Sequence, residues 1–300
     1  MSATALLILN SILAFMMFGI ALSLTAADFK RVLTQPKAPL IGLAAQFVLL
    51  PFFTFIAITL IPMPAEVALG LLLVSCCPGG SFSNIMTFLG NGNAAMSVSM
   101  TGIASLMATL LTPFNFMFYA SLNPHTDALL QQISVSATDM LTIVLLVLAL
   151  PLILGLICAQ KFPRFARHSE DFFRLVSLLA LIGFVVIALA LNWQAFIAGA
   201  SVFLLAVIVH NTLALGLGWG AARLLGVARP ERRAITLEVG LQNSGLGLGI
   251  IFTYFSEQMA MAVIAAAWGI WHLISGLGLA LYWQWRDRRA AITSALGDLS

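Results

Sequence analysis

The sequence is short of charge. Of 300 residues, 14 are Lys or Arg and 11 are Asp or Glu, so 8% of the chain is charged, against about 25% in an average soluble domain. That is too little to coat a water-soluble globule of 32.1 kDa, which excludes a cytosolic enzyme and a nucleic-acid-binding protein. Cysteine is scarce too. Cys76 and Cys77 are adjacent and Cys158 stands alone, an arrangement with no disulfide framework and no paired C-x-x-C metal knuckle. What fills the chain instead is hydrophobic residues, 61% of it, at a mean hydropathy of +1.04. The composition is that of an integral membrane protein built from helices.

A helix needs about 20 apolar residues to cross the hydrocarbon core. The uncharged stretches accommodate nine such spans, near residues 3–25, 39–61, 67–89, 94–119, 138–160, 172–192, 195–222, 232–255 and 259–285. The first reads as a retained span rather than a signal peptide, because the earliest cation, Lys30, follows the apolar run. Positive residues collect in short cytoplasmic loops, and here they are sharply segregated. Lys30, Arg31 and Lys37 follow span one; Lys161, Arg164, Arg167 and Arg174 surround the link from five to six. Arg223, Arg229, Arg232 and Arg233 flank the link from seven to eight, and Arg286, Arg288 and Arg289 follow span nine. All 14 cations fall on one face if nine spans run from an outside N-terminus to a cytoplasmic C-terminus. The net charge of +3 therefore encodes orientation in a cell membrane, not affinity for a polyanion.

Two spans are poor continuous helices. The third carries Cys77-Pro78-Gly79-Gly80-Ser81 at its centre, where proline removes a backbone donor and glycine lowers the cost of non-helical dihedrals. The eighth reads Glu238-Val239-Gly240-Leu241-Gln242-Asn243-Ser244-Gly245, again polar and glycine-rich at mid-span. Glu238 is a carboxylate in an apolar segment, at a cost of about 2.5–3.5 kcal/mol on an insertion scale, and intramembrane acids mark ion or substrate routes. No Lys or Arg stands in the interior of a span to pair with it; a protonated structural Glu is the bland alternative. The two broken spans are five apart and so cross in opposite directions, the pattern of inverted repeats with a midplane site. The halves would be residues 1–122, with four spans, and 133–287, with five.

At this point the chain resembles the bile acid:sodium symporter family over nearly its whole length. The resemblance rests on an ordered set: Gln46-Phe47, Cys77-Pro78-Gly79-Gly80, Ser83-Asn84, Gly92-Asn93, Ser97, Thr101, Glu238 to Gly245, Trp271-His272 and Ser275-Gly276. It implies crossed discontinuous helices in a core of spans two, three, four, seven, eight and nine, moving against a panel of spans one, five and six. It implies two sodium ions as coupling ions. One would be held by Ser83, Asn84, Ser97, Thr101 and Glu238, the other by Gln46, Glu238, Gln242 and the backbone carbonyls of Val239 and Leu241. Carboxylate, amide, hydroxyl and unwound carbonyl oxygens suit that hard cation. The substrate-facing residues it implies are Ser81, Asn243 and His272, and the partners are a small organic anion, sodium and membrane lipid, with no obligate protein partner. Leu273 stands where bile-acid-binding bacterial members have Asn, so the anion ranges from bile-acid-like compounds to smaller carboxylates such as a keto acid or pantoate.

Other readings are weaker. Gly79-Gly80-Ser81-Phe82-Ser83 is not the G-x-S-x-G of a serine nucleophile, and His210, with Cys76 or Cys77, lacks compact metal-ligand spacing. Gly216, Gly218 and Gly220 suit helix packing, Trp283 and Trp285 an interfacial belt, and Asp139 receives no role. Two functional classes survive: a sodium-coupled organic anion symporter, and a sodium-independent channel or sensor on the same fold. The orientation is open to direct test. A cysteine introduced at Ala290 is expected to escape a membrane-impermeant maleimide in intact cells and react once the inner face is opened; labelling in intact cells reverses the assignment.

Overall fold

The computed structural model describes residues 3–22, 24–133, 137–191 and 193–297. The chain begins with α1 (Ala3–Leu22) and α2 (Ala26–Thr34); α3 (Lys37–Ala44) then runs through a π-helical turn (Ala45–Leu49) into α4 (Leu50–Leu60). A broken pair follows, α5 (Ala65–Cys76) and α6 (Phe82–Leu89), then α7 (Ala94–Leu122) and α8 (Pro124–Ile133). Next, α9 (Ala137–Val144) passes through a second π-helical turn (Leu145–Ala149) into α10 (Leu150–Lys161), and α11 (Pro163–Leu191) and α12 (Trp193–Leu224) follow. The second broken pair, α13 (Arg229–Gly240) and α14 (Ser244–Tyr254), leads to the long α15 (Met259–Gly297). Among the described residues there is no strand, in keeping with an all-α membrane protein.

Among the described residues four continuous helices are long and apolar enough to cross a bilayer: Lys37–Leu60, Ala94–Leu122, Phe203–Leu224 and Met259–Thr293. A bent pair, Leu145–Lys161 with Pro163–Ser169, also passes if taken as one span, and Asn10–Leu22, Ala65–Cys76 and Ser244–Tyr254 are shorter apolar helices. Two elements lie outside the expected spans. Helix α2 starts where the Asp28 carboxylate accepts from the Thr25 backbone N–H at 2.9 Å and its hydroxyl at 2.6 Å, and α8 follows Asn123, whose side chain accepts from the His125 N–H at 3.0 Å. Asp139 falls on α9, with its side chain outside the described ones.

Both π-helical turns sit just before a proline, Pro51 or Pro151. Proline lacks an N–H and its ring crowds the carbonyl four residues back. For Pro51 that carbonyl belongs to Phe47, and it accepts instead from Asn115 Nδ2 at 2.7 Å. The widened turn is where Gln46 enters the fully buried interior, as π-bulges often do at functional sites.

The surface inverts the soluble pattern. Val48, Phe88, Phe114, Leu205 and Ile274 are exposed while Glu238, Gln46, Gln242, His210 and Asn211 are buried, as expected where the solvent is lipid. Helix α1 lies along α10 and α11, with Phe15 stacked on Phe173 at 4.5 Å between centroids. Helices α5, α7, α12, α13 and α15 pack on one another around the two breaks. Gly218 serves that packing, because a Cβ there would stand 3.0 Å from the Ile235 carbonyl, whereas Gly216 and Gly220 have nothing within 4 Å.

A charged cluster ties α13 to the end of α6 and to α15. Arg233, 4% exposed, donates to Asp287 at 2.6 and 2.8 Å and to the carbonyls of Gly90 at 2.9 Å and Asn91 at 3.3 Å. Arg229 also donates to Asp287. The guanidinium lies 5.3 Å over the Trp283 ring. Trp283 is therefore buried in this cluster rather than sitting in an interfacial belt, because the buried cation needs a face to pack on. Trp285 is exposed, with Arg289 4.4 Å over its ring. Replacing Arg233 with Ala leaves the Gly90 and Asn91 carbonyls without this donor and Asp287 with only Arg229 and Asn91, and is expected to destabilise the protein by about 3 kcal/mol, read as a fall in thermal unfolding temperature in nanodiscs; Arg233→Lys, lacking the bidentate fork, should recover only part of it.

Candidate functional site

The two breaks meet. Gly79 and Gln242 form an antiparallel bridge, in which the Gly80 N–H donates to the Leu241 carbonyl at 2.7 Å and the Asn243 N–H to the Pro78 carbonyl at 2.8 Å. Helix ends leave carbonyls without intrahelical partners, and lipid offers them none. Four of them are met here by buried side chains. Thr112 donates to Cys76 at 2.7 Å, Gln46 Nε2 to Cys77 at 2.7 Å, Asn211 Nδ2 to Gly240 at 2.8 Å and Gln242 Nε2 to Val239 at 2.6 Å. Beyond the breaks α6 and α14 begin at Phe82 and Ser244, the latter capped by Asn243, whose side chain accepts from the Leu246 N–H at 3.0 Å.

Glu238 sits beside this crossing, fully buried. Its Oε2 accepts from the Ser83 hydroxyl at 2.6 Å and the Thr101 hydroxyl at 2.8 Å. Asn84 Oδ1 accepts from Ser97 at 2.8 Å and Thr101 at 3.1 Å. The five residues of the first expected sodium set are thus gathered in one hydrogen-bonded cluster. The other carboxylate oxygen, Oε1, is buried with no hydrogen-bond partner, and a buried carboxyl oxygen in that position is satisfied either by a cation or by a proton. The carboxylate reaches this place because Gly79 has no side chain; a Cβ there would overlap the Glu238 carboxyl group.

The second expected set is also assembled, but apart from Glu238 Oε1 its side-chain and backbone oxygens accept hydrogen bonds within the protein. Gln46 Nε2 donates to Gln242 Oε1 at 2.8 Å and Gln242 Nε2 to Gln46 Oε1 at 3.2 Å, while the Val239 and Leu241 carbonyls take the bonds given above. An ion there would share these oxygens with the hydrogen bonds already made or displace them. Ser81, Asn243 and His272 line a small cavity with Met16 and Ile20 of α1. Its volume is about 30 Å³, room for roughly one water. His272 is buried, its Nδ1 3.4 Å from the Ser244 hydroxyl. Leu273 is half-buried and is not among the residues lining that cavity. His210 is a packing residue bonded to Trp268 Nε1 at 2.9 Å and the Thr54 hydroxyl at 2.8 Å.

Sequence patterns alone missed several supporting residues: Thr87, 3.3 Å from the Ser97 hydroxyl, Asn211 with its Ser275 partner at 2.6 Å, Thr112 and Asn115. Each is a lone polar residue in an apolar helix. That is the available signal, since such residues in membrane helices hydrogen-bond across to a neighbour.

With this geometry in view, comparison with known proteins is decisive. The model of the Sodium Bile acid symporter family matches residues 11–199. The chain belongs to that family. A relative that extends past the second break is the uncharacterized sodium-dependent transporter YocS of Bacillus subtilis, 34% identical over 288 residues, which cover 96% of this chain and 86% of YocS. The probable sodium/metabolite cotransporter BASS1 of Arabidopsis thaliana chloroplasts is 31% identical over 273 residues, 91% of this chain. The chain spans 65% of the length of that plant protein. Membership in a transporter family, with several long apolar helices, makes this a multi-pass membrane transporter rather than an enzyme. The crossing predicts its own sensitivity. Gly79→Ala is expected to cost about 1–3 kcal/mol by overpacking against Glu238, measured by thermal unfolding, while Gly183→Ala, where nothing lies within 4 Å, should leave stability nearly unchanged.

Proposed function

We propose that the protein is a sodium-coupled symporter that carries a small organic anion across the cell membrane by alternating access. The observation that carries this reading is Glu238, an intramembrane carboxylate with hydroxyls on one oxygen and no donor on the other, set at the meeting of two broken helices. Relatives named as sodium-dependent or sodium/metabolite transporters support the coupling ion. Sodium is taken first by Ser83, Asn84, Ser97, Thr101 and Glu238. A second ion uses Gln46, Gln242, Glu238 and the Val239 and Leu241 carbonyls, once the amide pair opens.

Two ions against one ionised Glu238 leave a local positive charge, and the N-termini of α6 and α14 add to it. An anion at Ser81, Asn243 and His272 completes neutrality, which couples its binding to sodium. The cavity there is too small for an organic anion, so α1 must withdraw from the crossing. Its packing on α10 and α11 supports a panel of spans one, five and six moving against a core of the other spans. In this reading nine spans run from an outside N-terminus to a cytoplasmic C-terminus. Inverted halves, residues 1–122 and 133–287, are supported by matching bonds. In each, an amide from the preceding span, Gln46 or Asn211, holds a carbonyl at the break.

Fold and family leave the substrate open, so the test screens it. Proteoliposomes are given labelled keto acids, pantoate and bile salts with and without an inward sodium gradient. Concentrative uptake of one class that requires sodium is expected, and gradient-independent equilibration would mean a channel. Glu238→Ala and Gln242→Ala should each weaken apparent sodium affinity roughly tenfold or more, a loss of about 1.4 kcal/mol or greater; unchanged sodium dependence in both rejects the scheme.

A further inference from the structure

A second cavity, of about 270 Å³, opens where α2, α3, α7 and α13 meet, on the face that carries the cations. Arg31, Lys37, Asn93, Met96 and Glu231 help to line it. Arg31 is already engaged, with Asp28 at 3.3 Å and the Ala95 carbonyl at 2.8 Å. Glu231 is not fully engaged. Its Oε1 accepts from Asn93 Nδ2 at 2.9 Å, whereas Oε2 is buried without a hydrogen-bond partner.

Glu231 precedes Glu238 on α13 by seven residues, about two turns and roughly 10 Å along the axis, so the two carboxylates share one face. On the facing α7, Asn93, Ser97 and Thr101 follow at steps of four and share a face as well. Bonds already described join Thr101 to Glu238 at one end and Asn93 to Glu231 at the other. Between them lie Asn84 and Thr87 of α6, both in contact with Ser97. Oxygen-bearing side chains therefore recur at every helical turn from the crossing to the cavity.

We infer that this stripe is the route by which sodium leaves for the cytoplasm, and that Glu231 is the last protein ligand on it, a relay carboxylate at the cavity. The inference rests on the reading of the Glu238 cluster as a sodium site. A dehydrated cation needs an oxygen at every step, and hydroxyls and amides supply them along α6 and α7. A carboxylate at the end draws the ion outward, and Lys37 on the cavity wall opposes its staying there.

The test uses the full chain in nanodiscs, loaded with radiosodium at equilibrium and then mixed rapidly with sodium-free buffer. Wild-type protein binds and releases sodium, and Glu238→Gln loses binding. If Glu238→Gln binds like wild type, or nothing binds, the sodium reading itself fails and this inference with it. Where that reading holds, Glu231→Gln is expected to slow release roughly tenfold, the weight of one charge over about 10 Å at an effective dielectric constant near 20. The sign is decisive. A carboxylate that merely attracted the bound ion, or only favoured the start of α13, would on removal leave release faster or unchanged, and either result overturns the relay. Glu231→Asp should restore the rate. Should Glu231→Gln fail to fold, Lys37→Gln carries the test: slower release, the cation no longer helping to expel the ion, supports the relay, and an unchanged or faster rate overturns it.

Discussion

The structure depends on one constraint: in lipid, a backbone polar group has no partner but the protein. Breaking a helix at Pro78 and again around Leu241 frees carbonyls and N–H groups that a soluble protein would leave to water. The chain satisfies them by bringing the two breaks together, so that Gly80 donates to Leu241 and Asn243 to Pro78. Four further carbonyls are met by Gln46, Thr112, Asn211 and Gln242. Neither break is sustainable alone. Their mutual satisfaction fixes how α5, α6, α13 and α14 cross, and thereby where every site residue stands.

The same constraint explains how charge is distributed. Asp287 and Arg233 pair through both terminal guanidinium nitrogens, with a tryptophan ring on the guanidinium face, and their effect is to bind three helix ends together. Glu238 is the opposite case. It has two hydroxyl donors and one oxygen left over, in a place where no cationic side chain reaches. A structural carboxylate would be fully partnered, like Asp287. An unpartnered oxygen of this kind is what the proposed sodium site would use, since a carboxylate that exchanges ions must keep some of its coordination for them.

Much of this was legible in the sequence. The scarcity and placement of charge gave the membrane class, and Pro78-Gly79-Gly80 with Leu241-Gln242-Asn243 located both breaks. Glu238 was conspicuous because so few acids compete with it. The five oxygen-bearing residues that the resemblance named for one ion stand in a single hydrogen-bonded cluster. Less legible were Asn115, Thr112 and Asn211, since a single amide or hydroxyl in an apolar helix does not say which carbonyl it will meet. Trp283 was misread as interfacial because its position near a helix end carries no record of the buried Arg233 beneath it. Helices α2 and α8 were missed because short polar segments between spans lack the long apolar run by which spans are recognised.

Sequence alone determined that the chain is a membrane protein, where two of its apolar segments cannot remain helical, and which carboxylate is out of place, because each is a local matter of hydropathy, backbone chemistry or charge. Tertiary structure alone decided that the two breaks hydrogen-bond to each other, that one oxygen of Glu238 is satisfied and the other is not, and that Gln46 and Gln242 pair across the crossing. Those outcomes depend on distances between atoms up to 196 residues apart in the chain, which are set by how helices pack and not by what any one of them contains.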